Sequence, residues 1–254
     1  MTTISKVLLA NLALAATQLQ AQEAPPDRFV GDLGAALYST SALIKSKDTT
    51  TTVLPYVYGD WGHFFARVDT LGAKIMPLGL GHLEGVLRIS QEGYDANTTL
   101  LKGISSRSQP MPIGLGTFQR TSLGGVFVYA MHDLNSGGHA LDVTYGARLE
   151  LGSIKVYPQA GLEYRSQAYV QHLYGVSAAE AATSLATGGR MTAYTAGAAT
   201  TPVIGVAASV PLSGPWSLQL QWRHKWLDSA VKNSPLAEAA SQNTGFAGLS
   251  YEFK

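Results

Sequence analysis

The stretch Trp216-Ser217-Leu218-Gln219-Leu220-Gln221-Trp222-Arg223-His224-Lys225-Trp226 sorts its side chains by parity. Even positions carry Trp, Leu, Leu, Trp, His and Trp; odd positions carry Ser, Gln, Gln, Arg and Lys. A period of two places successive side chains on opposite faces of a strand, whereas a 3.6-residue helical period would mix the two sets. Leu141 to Leu151 repeats the pattern, with Leu141, Val143, Tyr145, Ala147, Leu149 and Leu151 against Asp142, Thr144, Gly146, Arg148 and Glu150. Ile154 to Tyr164 does so again, with Ile154, Val156, Pro158, Ala160, Leu162 and Tyr164 against Lys155, Tyr157, Gln159, Gly161 and Glu163. Soluble strands average about five or six residues. Alternation sustained over about eleven is the length a tilted strand needs to cross a bilayer.

Composition supports the same reading. Of 254 residues only 14% are charged, where a soluble domain carries about 25%. Eighteen basic residues face seventeen acidic ones, a balance without the clustered Lys and Arg of a nucleic-acid surface. The lack of cysteine removes a disulfide framework, a thiolate zinc site and a catalytic thiol. Residues 1–21, MTTISKVLLANLALAATQLQA, have one charge, Lys6, then an apolar run from Val7 to Ala16 and a small residue at Ala21. This is the layout of a secretory signal peptide, cut after Ala21 or after Ala16, rather than of an amphipathic first helix. Its removal leaves seventeen charges of each sign. The best later candidate for a membrane helix, Pro202 to Leu212, is about half the roughly 20 residues needed.

The expected fold is therefore all-β: an antiparallel transmembrane β-barrel over residues 22–254, with about ten strands. Weaker strands are expected near 28–40, 52–59, 62–72, 81–92, 118–131, 201–213 and 243–253, beside clear ones at 139–151, 153–168 and 215–227. Two more hidden in 93–117 would make twelve; otherwise that stretch is a long periplasmic connection. Turns at 59–62, 152–153 and 213–215 fall on one side, and longer connections at 41–51, 169–200 and 228–242 on the other, as in outer-membrane barrels. Closure satisfies every backbone group that hydrocarbon cannot. Trp216 and Trp226 suit the interfacial girdles.

Three sets of residues stand out as candidates. Ser177 and Glu180 form an S-x-x-E capping box ahead of the alanine-rich Ala178 to Ala186, which predicts a short helix in one extracellular loop. Asp142, Arg148, Glu150, Lys155, Glu163, Arg165, Arg223 and Lys225 alternate toward the lumen. They either line a pore or, as expected in a narrow barrel, pair across it and fill it. His224, Asp228 and Ser229 have the residue types of a hydrolytic triad, but His224 falls on the apolar face. The six histidines show no HExxH or other close metal-ligand spacing, and no G-x-S-x-G, P-loop or dinucleotide fingerprint is present. No cofactor is expected.

Tyr174-Gly175-Val176-Ser177-Ala178-Ala179-Glu180-Ala181 resembles the YGVS-x-x-EA loop motif of the MipA/OmpV family. Leu54-Pro55-Tyr56, Trp61-Gly62 and Phe64-Phe65 resemble that family's early strands. Asn233-Ser234-Pro235-Leu236 resembles its late loop, with Asn233 where Asp is common. Leu249-Ser250-Tyr251-Glu252-Phe253 resembles its ending, although Lys254 follows the terminal aromatic. The resemblance implies a non-enzymatic outer-membrane protein, a scaffold linking murein transglycosylase and synthase proteins and surrounded by outer-membrane lipid. A small-solute channel is the second reading and a lipid-acting enzyme the third.

Overall fold

The computed structural model describes residues 25–45 and 47–254; the signal peptide expected over 1–21 lies outside them. The alternating stretches become long strands, each hydrogen-bonded to both neighbours. In chain order they are β1 (Val30–Thr40), β2 (Thr50–Trp61), β3 (Phe64–Arg67), β4 (Thr70–Leu78), β5 (Gly81–Arg88) and β6 (Pro112–Thr121). There follow β7 (Gly124–Asp133), β8 (His139–Ala147), β9 (Leu149–Leu151), β10 (Ile154–Arg165), β11 (Ala199–Pro211), β12 (Trp216–Trp226) and β13 (Ser241–Phe253). β8 and β9 are two pieces of one stave, because β10 pairs with both in unbroken register. Every pairing is antiparallel between neighbours, and β1 pairs with β13 from Gly31↔Phe253 to Thr40↔Thr244. The result is a closed barrel of twelve staves among the described residues.

The extra two staves lie elsewhere than expected. The expected strand at 62–72 is a hairpin, β3 and β4, reversing at Val68–Asp69 with Val68 at φ +62°. The expected strand at 118–131 is also a hairpin, β6 and β7, reversing at Ser122–Leu123. Most of 93–117 is consequently a loop on the opposite side from the one expected, at the end that carries the long connections, where Tyr94 pairs with Arg107.

Polarity is inverted relative to a water-soluble barrel. Leu37, Val53, Leu115, Leu162 and Leu249 stand exposed on the outer wall, while Asp142, Glu84 and Ser250 are buried inside. Water would penalise that arrangement and hydrocarbon favours it. Trp216 packs edge-on against Tyr251, 5.3 Å between ring centres, at the short-turn end, and Trp226 stands at the other end. These places match interfacial girdles. Among the described residues no helix is long and apolar enough to cross a membrane.

Four long connections converge over one mouth. They carry α1 (Gln167–Tyr174), α2 (Ala178–Ala186), α3 (Ser229–Lys232) and a single 3-10 turn at Thr99–Leu101. Ile44, Leu101, Ile104, Val170, Leu173 and Leu236 from all four meet in one apolar core. Full burial of each Leu contributes roughly 1.5–3 kcal/mol, which offsets the entropy of ordering connections this long. The helix expected after Ser177 is present as α2, and α1 precedes it in the same loop.

Candidate functional site

The loop motif is the knot of this cap. Ser177 caps α2: its hydroxyl accepts from the Glu180 amide at 3.1 Å, and Glu180 Oε2 accepts from the Ser177 amide at 3.0 Å. The other carboxylate oxygen of Glu180 accepts from Arg107 at 2.9 Å and from the Ser105 amide at 3.1 Å. Three successive carbonyls, that of Leu173 just before the motif and those of Tyr174 and Gly175 within it, are taken up by side chains from other segments. Tyr94 donates to Leu173 O at 3.0 Å, Ser234 to Tyr174 O at 2.6 Å, and Arg107 to Gly175 O at 3.1 Å. Val176 forms a two-bond bridge with Tyr194. Any side chain at Gly175 would collide with Gln171, whose backbone oxygen lies 2.5 Å from the Cβ position.

The second motif therefore meets the first. Ser234 is 3% exposed and supplies the hydroxyl on Tyr174. Asn233 closes α3 by donating its amide to Ser229 O at 3.1 Å, and Pro235 follows.

Acid strength reports on the knot. Burial pushes the Glu180 carboxyl up, but the Ser177 and Ser105 amides and the Arg107 guanidinium outweigh it and hold the group at about 2, against an ordinary 4.5. A depressed carboxyl stabilises the fold above its unfolded value and loses that contribution as pH falls through the folded one. The cap should thus keep its full Glu180 contribution down to pH 4.5 and lose it progressively toward pH 2. Hydrogen exchange of residues 166–198 across that range checks this; loss complete by pH 4 would contradict it.

Beneath the cap, five of the eight expected lumen charges form a belt. Glu163 binds Lys225 at 2.7 Å, Arg223 at 3.0 Å and Arg165 at 3.6 Å. Asp142 receives both Arg165 and Arg88. Arg165 also lies over the Tyr169 ring of α1, 5.3 Å from its centre, and Tyr169 donates to Glu92 at 2.7 Å. A cavity of about 40 Å³ separates cap and belt, lined by Glu163, Arg165, Lys225, Tyr169 and Tyr174, room for about three or four waters at roughly 10–15 Å³ each. The other three charges sit at the short-turn end: Arg148 and Glu150 pair at 2.6 Å and are over half exposed, and Lys155 pairs in register with Glu150.

Sequence reasoning missed several partners. Arg88, Glu92 and Arg107 complete the belt and the knot. Asp60 with Arg67 and Lys74, and Glu84 with Tyr129, form a second interior network on β2 to β7. The alternation of Glu84, Val86 and Arg88 was the available signal.

The triad residue types are not assembled. His224 turns to Asn243 Oδ1 at 2.9 Å and packs against Trp226 on the outer wall. Asp228 caps α3, accepting from the Ala230 and Thr200 amides. Burial raises its carboxyl, those amides lower it, and the balance is below the usual value.

Comparison with known proteins points the same way as the loop motif. A family described as "MltA-interacting protein MipA" matches residues 33–253. Outer membrane protein Omp26La of Vibrio anguillarum is 28% identical over 163 residues, 63% of this chain and 61% of that protein. Outer membrane protein OmpV of Vibrio cholerae serotype O1 is 26% identical over 163 residues, 63% of this chain and 61% of that protein. The MltA-interacting protein of Escherichia coli K12 is 26% identical over 161 residues, 63% of each chain. These matches span about three-fifths of the relatives' length.

Proposed function

The chain belongs to the MltA-interacting protein MipA family, and on that premise we propose that this outer-membrane barrel is a scaffold for a murein transglycosylase. The observation that carries the reading is the filled interior. A belt of paired charges crosses the lumen and a cap with its own apolar core covers the mouth, so the barrel serves as an anchor rather than a conduit. The cap is fastened across four connections and faces away from the periplasm. The partner's contacts then fall to the short-turn end, where Leu80, Leu123 and Leu212 stand exposed at three hairpin tips. Lipid supplies the surroundings of the outer wall.

The test pairs two measurements on the full-length protein in detergent. Immobilised protein is expected to retain a purified murein transglycosylase, and planar bilayers containing it are expected to show no discrete conductance steps. Steps without retention would favour the small-solute channel and overturn the scaffold.

A further inference from the structure

We propose that His132 and His139 form a zinc site on the outer wall, at the rim of the capped end. The two residues are the last register pair of the β7–β8 hairpin. Their neighbours Met131 and Ala140 are buried inside, so by alternation both imidazoles face outward, and both residues are exposed. Asp133 donates its amide to Gly138 O at 2.8 Å, whereas the amide and carbonyl of His139 are engaged with Ser166. The 132–139 pair is therefore the non-hydrogen-bonded kind, in which facing side chains approach most closely.

The geometry suits a tetrahedral ion. The Nδ1 atoms lie 3.4 Å apart, with ring centres 5.0 Å apart and planes inclined at 46°. Two nitrogens bound at 2.0–2.1 Å to a tetrahedral zinc are separated by about 3.3–3.4 Å. A square-planar ion would draw them to about 2.8–2.9 Å, assuming bonds of similar length. The backbone beneath is also fixed. Asp133 is fully buried and its carboxylate accepts from the Met111 and Ser136 amides, which holds the 134–138 turn. Gly138 packs against Tyr169, where a Cβ would lie 2.5 Å from the Tyr169 amide. The pair is thus held in place before an ion arrives.

Among the described residues no group of three or more His, Asp or Glu side chains is placed around one ion. The two remaining positions fall to oxygen donors from outside the chain: water, or the phosphate of a lipid headgroup at this rim. The site is independent of the scaffold reading.

Zinc chloride titrated into the full-length protein in uncharged detergent, followed by calorimetry, tests it. One saturable site is expected, weakened roughly tenfold or more in both His132→Ala and His139→Ala because each removes half of the chelate, and unchanged in His172→Ala. Heat-dependent gel migration shows that the variants remain folded. Micelles doped with phosphate-bearing lipid should tighten binding if phosphate fills an open position, and leave it unchanged if water does. Absence of saturable binding up to about 1 mM, or binding by both alanine variants as tight as that of the unsubstituted protein, would overturn the site.

Discussion

Glu163→Gln is expected to destabilise the barrel by about 3–5 kcal/mol, because removing one partner of a buried pair leaves uncompensated charge in a low-dielectric interior. Three cations converge on that carboxylate from β10 and β12, at 2.7, 3.0 and 3.6 Å. Arg165 retains Asp142; Arg223 and Lys225 keep no other carboxylate in their ion pairs among the described residues. Glutamine preserves shape and removes only charge, so the effect reads electrostatics rather than packing. Denaturant unfolding from lipid vesicles measures it. A change under about 1 kcal/mol would mean that the belt is solvated and behaves like a surface network. Adding Lys225→Gln should recover part of the loss, since the double variant removes one of the stranded charges.

Gly175→Val should act on the cap and leave the staves alone. A side chain there would meet the Gln171 amide group at 2.0 Å and its backbone oxygen at 2.5 Å. Gln171 cannot simply rotate away, because its Oε1 accepts from the Ala196 amide at 2.7 Å. Overpacking of this kind costs about 1–3 kcal/mol. Locally, that is roughly fivefold to 150-fold faster amide exchange. The gain should appear in 166–198 and spread to 94–107, which shares the hydrogen bonds of Tyr94 and Arg107. Staves such as β12 and β13 should keep their protection and the protein its heat-dependent migration. Faster exchange throughout the barrel would show that the cap is part of the same cooperative unit.

These contrasts explain how far the sequence could be read. Residues with one face in lipid and one in the lumen announce themselves, so β12 runs Trp216–Trp226 in the fold as in the alternation. The reversal between β3 and β4 was hard to read because Asp69 alone marks it, with no Gly, Pro or Asn beside it. Val68 adopts the left-handed conformation that β-branched residues ordinarily avoid. Ser122, Leu123 and Gly124 did carry a turn signal, weaker than the apolar run around them. In the candidate site, local chemistry was readable and remote chemistry was not. Ser177 and Glu180 are three residues apart, and their reciprocal bonds follow from that spacing. Arg107 lies 73 residues from Glu180, and Ser234 lies 60 from Tyr174. Such pairings are set by which loops converge on one mouth, information held by the closure of the sheet and not by any one segment.

The seam between β1 and β13 has a consequence for how the molecule comes into being. Its register joins Gly31 to Phe253 and Thr40 to Thr244, positions more than two hundred residues apart. Contacts that distant in the chain form late and slowly. Until they do, two strands present rows of unmatched amides and carbonyls, which hydrocarbon cannot solvate. A half-built wall is thus barred from the bilayer interior, and insertion and closure must be completed together. The chain has to be kept in water, or templated edge-on by another sheet, until its last strand is available to meet its first.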